Sequence, residues 1–111
     1  MSFIKAQCGA EEPAKESPLL AQLLQSRIVT IVGEVDQELA EEVISTLLLL
    51  DARSQDLIKV IVSSPGGHVD SGYAIHDMMR FIKSPVAAIG AGWVASIAVP
   101  ILLGADKDKR F

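Results

Sequence analysis

A single cysteine, Cys8, stands among the 111 residues, so no internal disulfide can form. No Cys/His cluster has the spacing of a metal site. Aromatic residues make up only 5%, too few for a base-stacking surface. Basic side chains are also scarce: 10 Lys+Arg face 14 Asp+Glu, which argues against a nucleic-acid partner gripped through its phosphates. Neither GxxxxGK[ST] nor GxGxxG occurs, so the common phosphate-binding loops are missing. Met1 to Gln7 has no long apolar run behind a basic region, and no secretory signal is read there. With the lone cysteine, that fits a reducing, cytoplasmic setting.

What remains is the composition of a globular chain. Half the residues are hydrophobic, 22% are charged and the net charge is −4. Ser84 to Ala105 carries no charge and is long enough to span a bilayer. Pro85, Gly90, Gly92, Ser96 and Pro100 interrupt it, so it reads better as a strand, a glycine turn and a buried helix, with no membrane involved.

Residues 1–18 form a polar, proline-punctuated arm ahead of a domain over 19–111. Leu19, Leu20, Leu23 and Leu24 recur at helical spacing up to Arg27. The β-branched run Ile28–Val32 predicts a strand bounded by Gly33. Asp36 is placed to cap a helix with two apolar stripes, Leu39/Val43/Leu47 and Ala40/Ile44/Leu48. Leu57–Val62 is a second strand, apolar enough to be covered on both faces. A helix from about Ser71 to Lys83 follows, with Ile75, Met78, Met79 and Ile82 inward. Val86–Ile89 is a third strand, Gly90–Gly92 a turn and Ser96–Leu103 a short helix. Arg110–Phe111 opens a further strand. Alternating strands and helices predict an α/β fold with a parallel sheet, whose working end is the carboxyl end of its strands.

Both glycine-rich turns fall at that end. Gly66 and Gly67 leave backbone N–H groups uncovered, able to receive an oxyanion or to serve as a plain tight turn. Ser96 follows the other turn at a predicted helix start, which suits either a nucleophile elbow or a capping serine. The two histidines, His68 and His76, and Lys83, Lys107 and Lys109 offer no convincing base beside it. Asp70 and Asp77 read as solvated surface.

Four blocks in order then carry a resemblance over about residues 19–111. Ser64-Pro65-Gly66-Gly67-His68-Val69-Asp70-Ser71-Gly72 resembles the S-P-G-G-x-(V/I)-x-x-G segment of the ClpP family, the proteolytic subunits of ATP-dependent Clp proteases. Tyr73–Lys83 is similar to the helix that follows it there. Gly92-Trp93-Val94-Ala95-Ser96-Ile97 resembles the G-x-A-A-S-M nucleophile segment, and Gly104–Phe111 the G-A-x-G-K-R-F turn. The resemblance implies a crotonase/ClpP-like β-α-β superhelix with a mostly parallel sheet. It implies serine endopeptidase activity on unfolded polypeptides. It makes Ser96 the nucleophile and the N–H groups of Gly67 and Ile97 the oxyanion hole. The extended backbone at His68 and Val69 would pair with substrate.

The implied partners are further copies or paralogous subunits in stacked heptameric rings, and an AAA+ unfoldase of the Clp ATPase type. No cofactor or metal is expected in this subunit, ATP being used by the unfoldase. The family's catalytic His and Asp blocks would fall after Phe111, so the 111 residues alone are expected to be nearly inactive. Val94, Ile97, Ala98 and Pro100 depart from the family pattern, and Trp93 is expected to shape the specificity pocket. Three rivals stand beside this reading, one of them a Ser–Lys membrane-associated peptidase, and the other two lie closer to the family. One is a non-catalytic subunit that modulates ring assembly; the other is a crotonase-fold enzyme that binds an acyl-CoA thioester.

Overall fold

The computed structural model describes residues 18–111. The leucine-rich stretch forms helix α1, Pro18–Gln25. The arm expected over 1–18 lies outside the described residues, except Pro18, which opens α1. Arg27 then turns the chain with a left-handed φ of 59° into strand β1, Ile28–Val32, over the predicted span.

Asp36 caps helix α2, Gln37–Arg53, as expected: its carboxylate accepts the Leu39 N–H at 2.8 Å. The buried face of α2 is Ala40, Val43, Leu47 and Leu50. That face draws on both expected stripes: Ala40 of the second is buried while Ile44 is half-buried and Leu48 exposed, and Leu39 of the first is half-buried, because one sheet face can hold only one side of the helix. Strand β2, Ile58–Ser64, leads into helix α3, Val69–Phe81, whose Ile75 and Met79 point into the core. Strand β3, Val86–Val94, is followed by the five-residue helix α4, Ala98–Leu102.

The three strands lie parallel in the order β1-β2-β3. Ile58, Val60 and Val62 of β2 are fully buried with Val29, Ile31, Val86 and Ala88 beneath α2, α3 and α4. The opposite face of β2 holds exposed Lys59 and half-buried Ile61 and Ser63. Among the described residues β2 is therefore covered on one face, not the two its apolar run suggested. Where a further strand was expected, Arg110 makes a single parallel bridge beside Ala88: the Phe111 N–H donates to Ala88 O at 2.8 Å and Gly90 N–H to Phe111 O at 2.7 Å.

Gly90–Gly92 is not the turn the sequence suggested. It lies inside β3 as a bulge, between the pairs Val62–Gly90 and Ser64–Val94. No helix among the described residues is long and apolar enough to cross a membrane. The uncharged stretch is instead divided among β3, a turn and α4.

At the amino ends of the strands, one side chain gathers three segments. The Arg27 guanidinium donates to the carbonyls of Leu50, Ser54 and Asp56, each at 2.9 Å, and to Ser84 Oγ at 3.2 Å. It thereby gathers carbonyls at and just past the end of α2, where Leu50 O also accepts the Ser54 N–H at 3.2 Å, and its charge favours the negative end of that helix. Ser84 in turn donates its hydroxyl (2.7 Å) and its N–H (2.8 Å) to Asp51 Oδ1. These bonds hold the Asp51 carboxyl below its ordinary range. With this end fixed, the carboxyl ends of the strands face the other way, and the candidate site is there.

Candidate active site

β2 ends at Ser64, whose side chain is fully buried. Its hydroxyl accepts the N–H of Gly66 at 3.0 Å and folds the Pro65-Gly66-Gly67 turn back on the strand. Gly66 and Gly67 have φ of +106° and +149°, which L side chains rarely adopt. Sterics close the same positions. A Cβ on Gly67 would stand 2.2 Å from Val35 O, and one on Gly66 would stand 2.6 Å from Ser96 Cβ.

Val35, just before α2, zips to this turn. Its N–H donates to Gly66 O and its carbonyl accepts the His68 N–H, both at 2.8 Å. That pairing spends the groups on either side of Gly67. The exposed Gly67 N–H is not a donor in the turn's backbone bonds.

β3 delivers the second turn. The Ala95 N–H donates to Ser64 O at 3.1 Å, so Ser64 ties down both turns, one through its side chain and one through its carbonyl. Ser96 then takes a left-handed φ of 57°. For a non-glycine residue this costs about 1–2 kcal/mol, and such strain gathers at working sites. The alternative of a capping serine does not hold: the cap of α4 is Ile97, with no side-chain cap bond. The left-handed turn holds Ser96 outside the helix, which is why α4 starts at Ala98 and not at Ser96.

Ser96 is exposed, and its hydroxyl makes no hydrogen bond to any described residue. Gly66 packs against it: the Cβ position of Gly66 lies 3.1 Å from Ser96 Oγ. The Ile97 N–H, next in the chain, is also absent from the backbone donors, while its side chain is buried. Pro100 is the third residue of α4, where a helix has no partner for an N–H anyway.

The structure thus brings Ser96, Gly67 and Ile97 to one corner. The other expected residues are placed differently. His68 is extended, but its N–H is already given to Val35 and its Nδ1 lies 2.6 Å from Ser71 Oγ. Val69 is not extended; it opens α3, because His68 O accepts the Gly72 N–H at 3.0 Å and starts the helix there. The extended stretch after Gly67 is therefore one residue long. His76 Nδ1 lies 3.0 Å from Asp77 Oδ1, and its ring stands edge-on to Tyr73. Neither imidazole touches Ser96.

The sequence placed Ser64 and Gly72 in a motif without giving either a role, and passed over Val35. A serine two residues before a glycine in a turn was a usable signal for Ser64. Val35 carried none, since its side chain is ordinary core and only its backbone reaches the turn.

A serine held at positive φ after a parallel strand, beside uncovered N–H groups of a glycine turn, is an arrangement that shares the geometry of a nucleophile elbow. Comparison with known proteins narrows this. The Clp protease family matches residues 11–111. The proteolytic subunit 3 of the ATP-dependent Clp protease of Rhizobium meliloti is 48% identical over 104 residues, 90% of this chain and 53% of its own. Subunit 2 of Treponema denticola is 44% identical over 97 residues, covering 86% of this chain and 48% of its own.

Among solved structures, ClpP1 of Listeria monocytogenes is similar with a TM-score of 0.79 and 48% identity, over 82% of this chain and 54% of that one. The ClpP catalytic domain of Plasmodium falciparum gives 0.81 and 37%, over 86% and 56%. The chain belongs to the Clp protease family, and its fold is that of the ClpP catalytic domain. It spans about half the length of the curated relatives it matches.

Proposed function

We propose that this chain supplies the nucleophile and the oxyanion hole of a serine endopeptidase acting on unfolded polypeptides. The observation that carries the reading is Ser96 at φ 57°, with its hydroxyl unbonded and Gly66 packed against it. A helix-capping or merely structural serine needs no such strain.

In the proposed reaction Ser96 Oγ attacks the scissile carbonyl carbon and gives its proton to a base outside the described residues. The carbonyl oxygen takes up the negative charge and receives the N–H groups of Gly67 and Ile97. The tetrahedral species collapses, the C–N bond breaks, and the amine leaves with that proton. Water then attacks the acyl-Ser96 ester by the same steps and releases the acid. His68 would flank the bound peptide and Val69 would present its side chain from the first turn of α3. The proposed assembly is stacked heptameric rings of this or paralogous subunits, fed by an AAA+ unfoldase that uses the ATP. This subunit needs no cofactor of its own.

A second reading is favoured by one observation: both imidazoles among the described residues are engaged away from Ser96. In it the chain is a non-catalytic partner in ring assembly. Intact mass of the protein from its native source, before and after a fluorophosphonate, separates the two. One label, mapped to Ser96 and lost in Ser96→Ala, is expected. A correctly folded protein that takes no label ends the peptidase reading and leaves the assembly role.

A further inference from the structure

Gly72 is an anomaly within α3. It is buried, it sits in the first turn, and its φ is not positive, so the backbone there suits any residue. Glycine inside a helix costs about 1 kcal/mol relative to alanine. What requires it is a neighbour. A Cβ at Gly72 would stand 2.3 Å from Ile97 Cγ1, 3.2 Å from Cγ2 and 3.3 Å from Cβ.

The helix backbone is thus pressed directly onto the side chain of the residue after the nucleophile. Ile97 is only 5% exposed and β-branched, so its χ1 is stiff and its Cγ atoms cannot swing aside. Its own helix holds it loosely: the Ile101 N–H reaches Ile97 O at 3.4 Å, the longest of the backbone bonds around the turns. α3 is also the helix that grows out of the Gly66-Gly67 turn. One rigid element therefore bears on both proposed oxyanion donors: its cap, His68, directly follows Gly67, and its first turn wedges Ile97 through Gly72.

We propose that Gly72 is a positioning residue for the oxyanion hole, setting where the Ile97 N–H points by letting α3 seat against the Ile97 side chain. The inference rests on the reading of Ser96, Gly67 and Ile97 given above. In Gly72→Ala, restoring ordinary contact at 3.4 Å would require Ile97 to retreat by about 1 Å. Misplacement on that scale, or loss of one oxyanion donor, lowers turnover by about 10²-fold. Gly72→Ala itself favours the helix, so α3 should persist.

The test uses the assembled protease, with wild type first shown to take a fluorophosphonate on Ser96. The measurements are kcat and KM on a peptide, and affinity for a peptide boronic acid that mimics the tetrahedral species. Expected for Gly72→Ala is a fall in kcat of about 10²-fold with KM within about threefold, and a parallel loss of boronate affinity. Adding Ile97→Ala removes the clashing atoms but keeps the N–H, and should recover at least about tenfold of the loss. Wild-type-like kinetics in Gly72→Ala overturn the proposal, and so does a loss that Ile97→Ala does not relieve.

Should Gly72→Ala fail to assemble, Ile97→Ala is compared with Ile97→Ala/Gly72→Ala. The added methyl is then expected to cost less than about threefold, and a loss near 10²-fold refutes the interlock. A wild type that takes no label would instead refute the peptidase reading itself, a different outcome from a labelled wild type indifferent to Gly72.

Discussion

Replacing Ser64 by alanine isolates the bond that shapes the glycine turn. The Ser64 hydroxyl is fully buried and accepts the Gly66 N–H at 3.0 Å; Gly66 is itself buried. Ser64→Ala deletes the acceptor and leaves a buried donor with no partner. An unsatisfied buried group costs about 1–3 kcal/mol. For a domain of this size each kcal/mol lowers the midpoint of thermal unfolding by about 4–8 °C, so the expected fall is roughly 10 °C. The Ser64 carbonyl survives the substitution, and with it the bond from Ala95 that seats the Ser96 turn. The damage should therefore fall on the Gly67 side of the site.

Amide hydrogen exchange reads this directly. Gly66 is expected to exchange much faster in Ser64→Ala, while Ala95 keeps its protection. Turnover in the assembled protease should fall by about tenfold, part of the 10²–10³ that loss of a whole oxyanion donor costs. An unchanged Gly66 exchange rate together with an unfolding midpoint within about 1 °C of wild type would refute the reasoning, since the donor would then have another partner.

Two further outcomes follow from the geometry. Gly67→Ala combines a φ of +149° with a methyl 2.2 Å from a backbone oxygen that cannot swing away. Strain and overpacking together should cost about 2–6 kcal/mol, read by denaturant unfolding, and should abolish fluorophosphonate labelling of Ser96. The lowered Asp51 carboxyl stabilises the fold fully above the ordinary carboxylate range, near pH 4, and that contribution is lost as pH falls through the lowered folded value. An acid titration of unfolding midpoints should show wild type losing its advantage over Asp51→Asn below about pH 4, and a constant gap down to pH 2 would contradict the assignment.

The sequence showed the architecture where one physical signal dominated. The β-branched run at Ile28–Val32, the cap at Asp36 and the abrupt Pro65-Gly66-Gly67 stop each have a single good solution, and each was found. Glycine between strand and serine has two, a turn or a bulge. At Gly90–Gly92 the choice was made by pairing with β2, which no local pattern contains. Ser96 illustrates the same limit. A serine before an apolar helix normally caps it, and only the left-handed φ of 57° seen in the structure shows this one held outside. Arg27, Val35 and Gly72 each meet residues more than twenty positions away, so their neighbours in the chain do not announce their roles.

The bulge in β3 has a property of count. From Val62 to Ser64 the inner strand advances two residues, while from Gly90 to Val94 its neighbour advances four. The two surplus residues are taken up around Gly92, whose left-handed φ of 72° turns the strand, and Val94 rejoins the ladder opposite Ser64. Trp93, 60% exposed, stands out on the bulge, while the next bond, from the Ala95 N–H to Ser64 O, fixes where the Ser96 turn begins. The bulge can thus absorb changes in its own residues while Ser64 keeps the start of that turn in place.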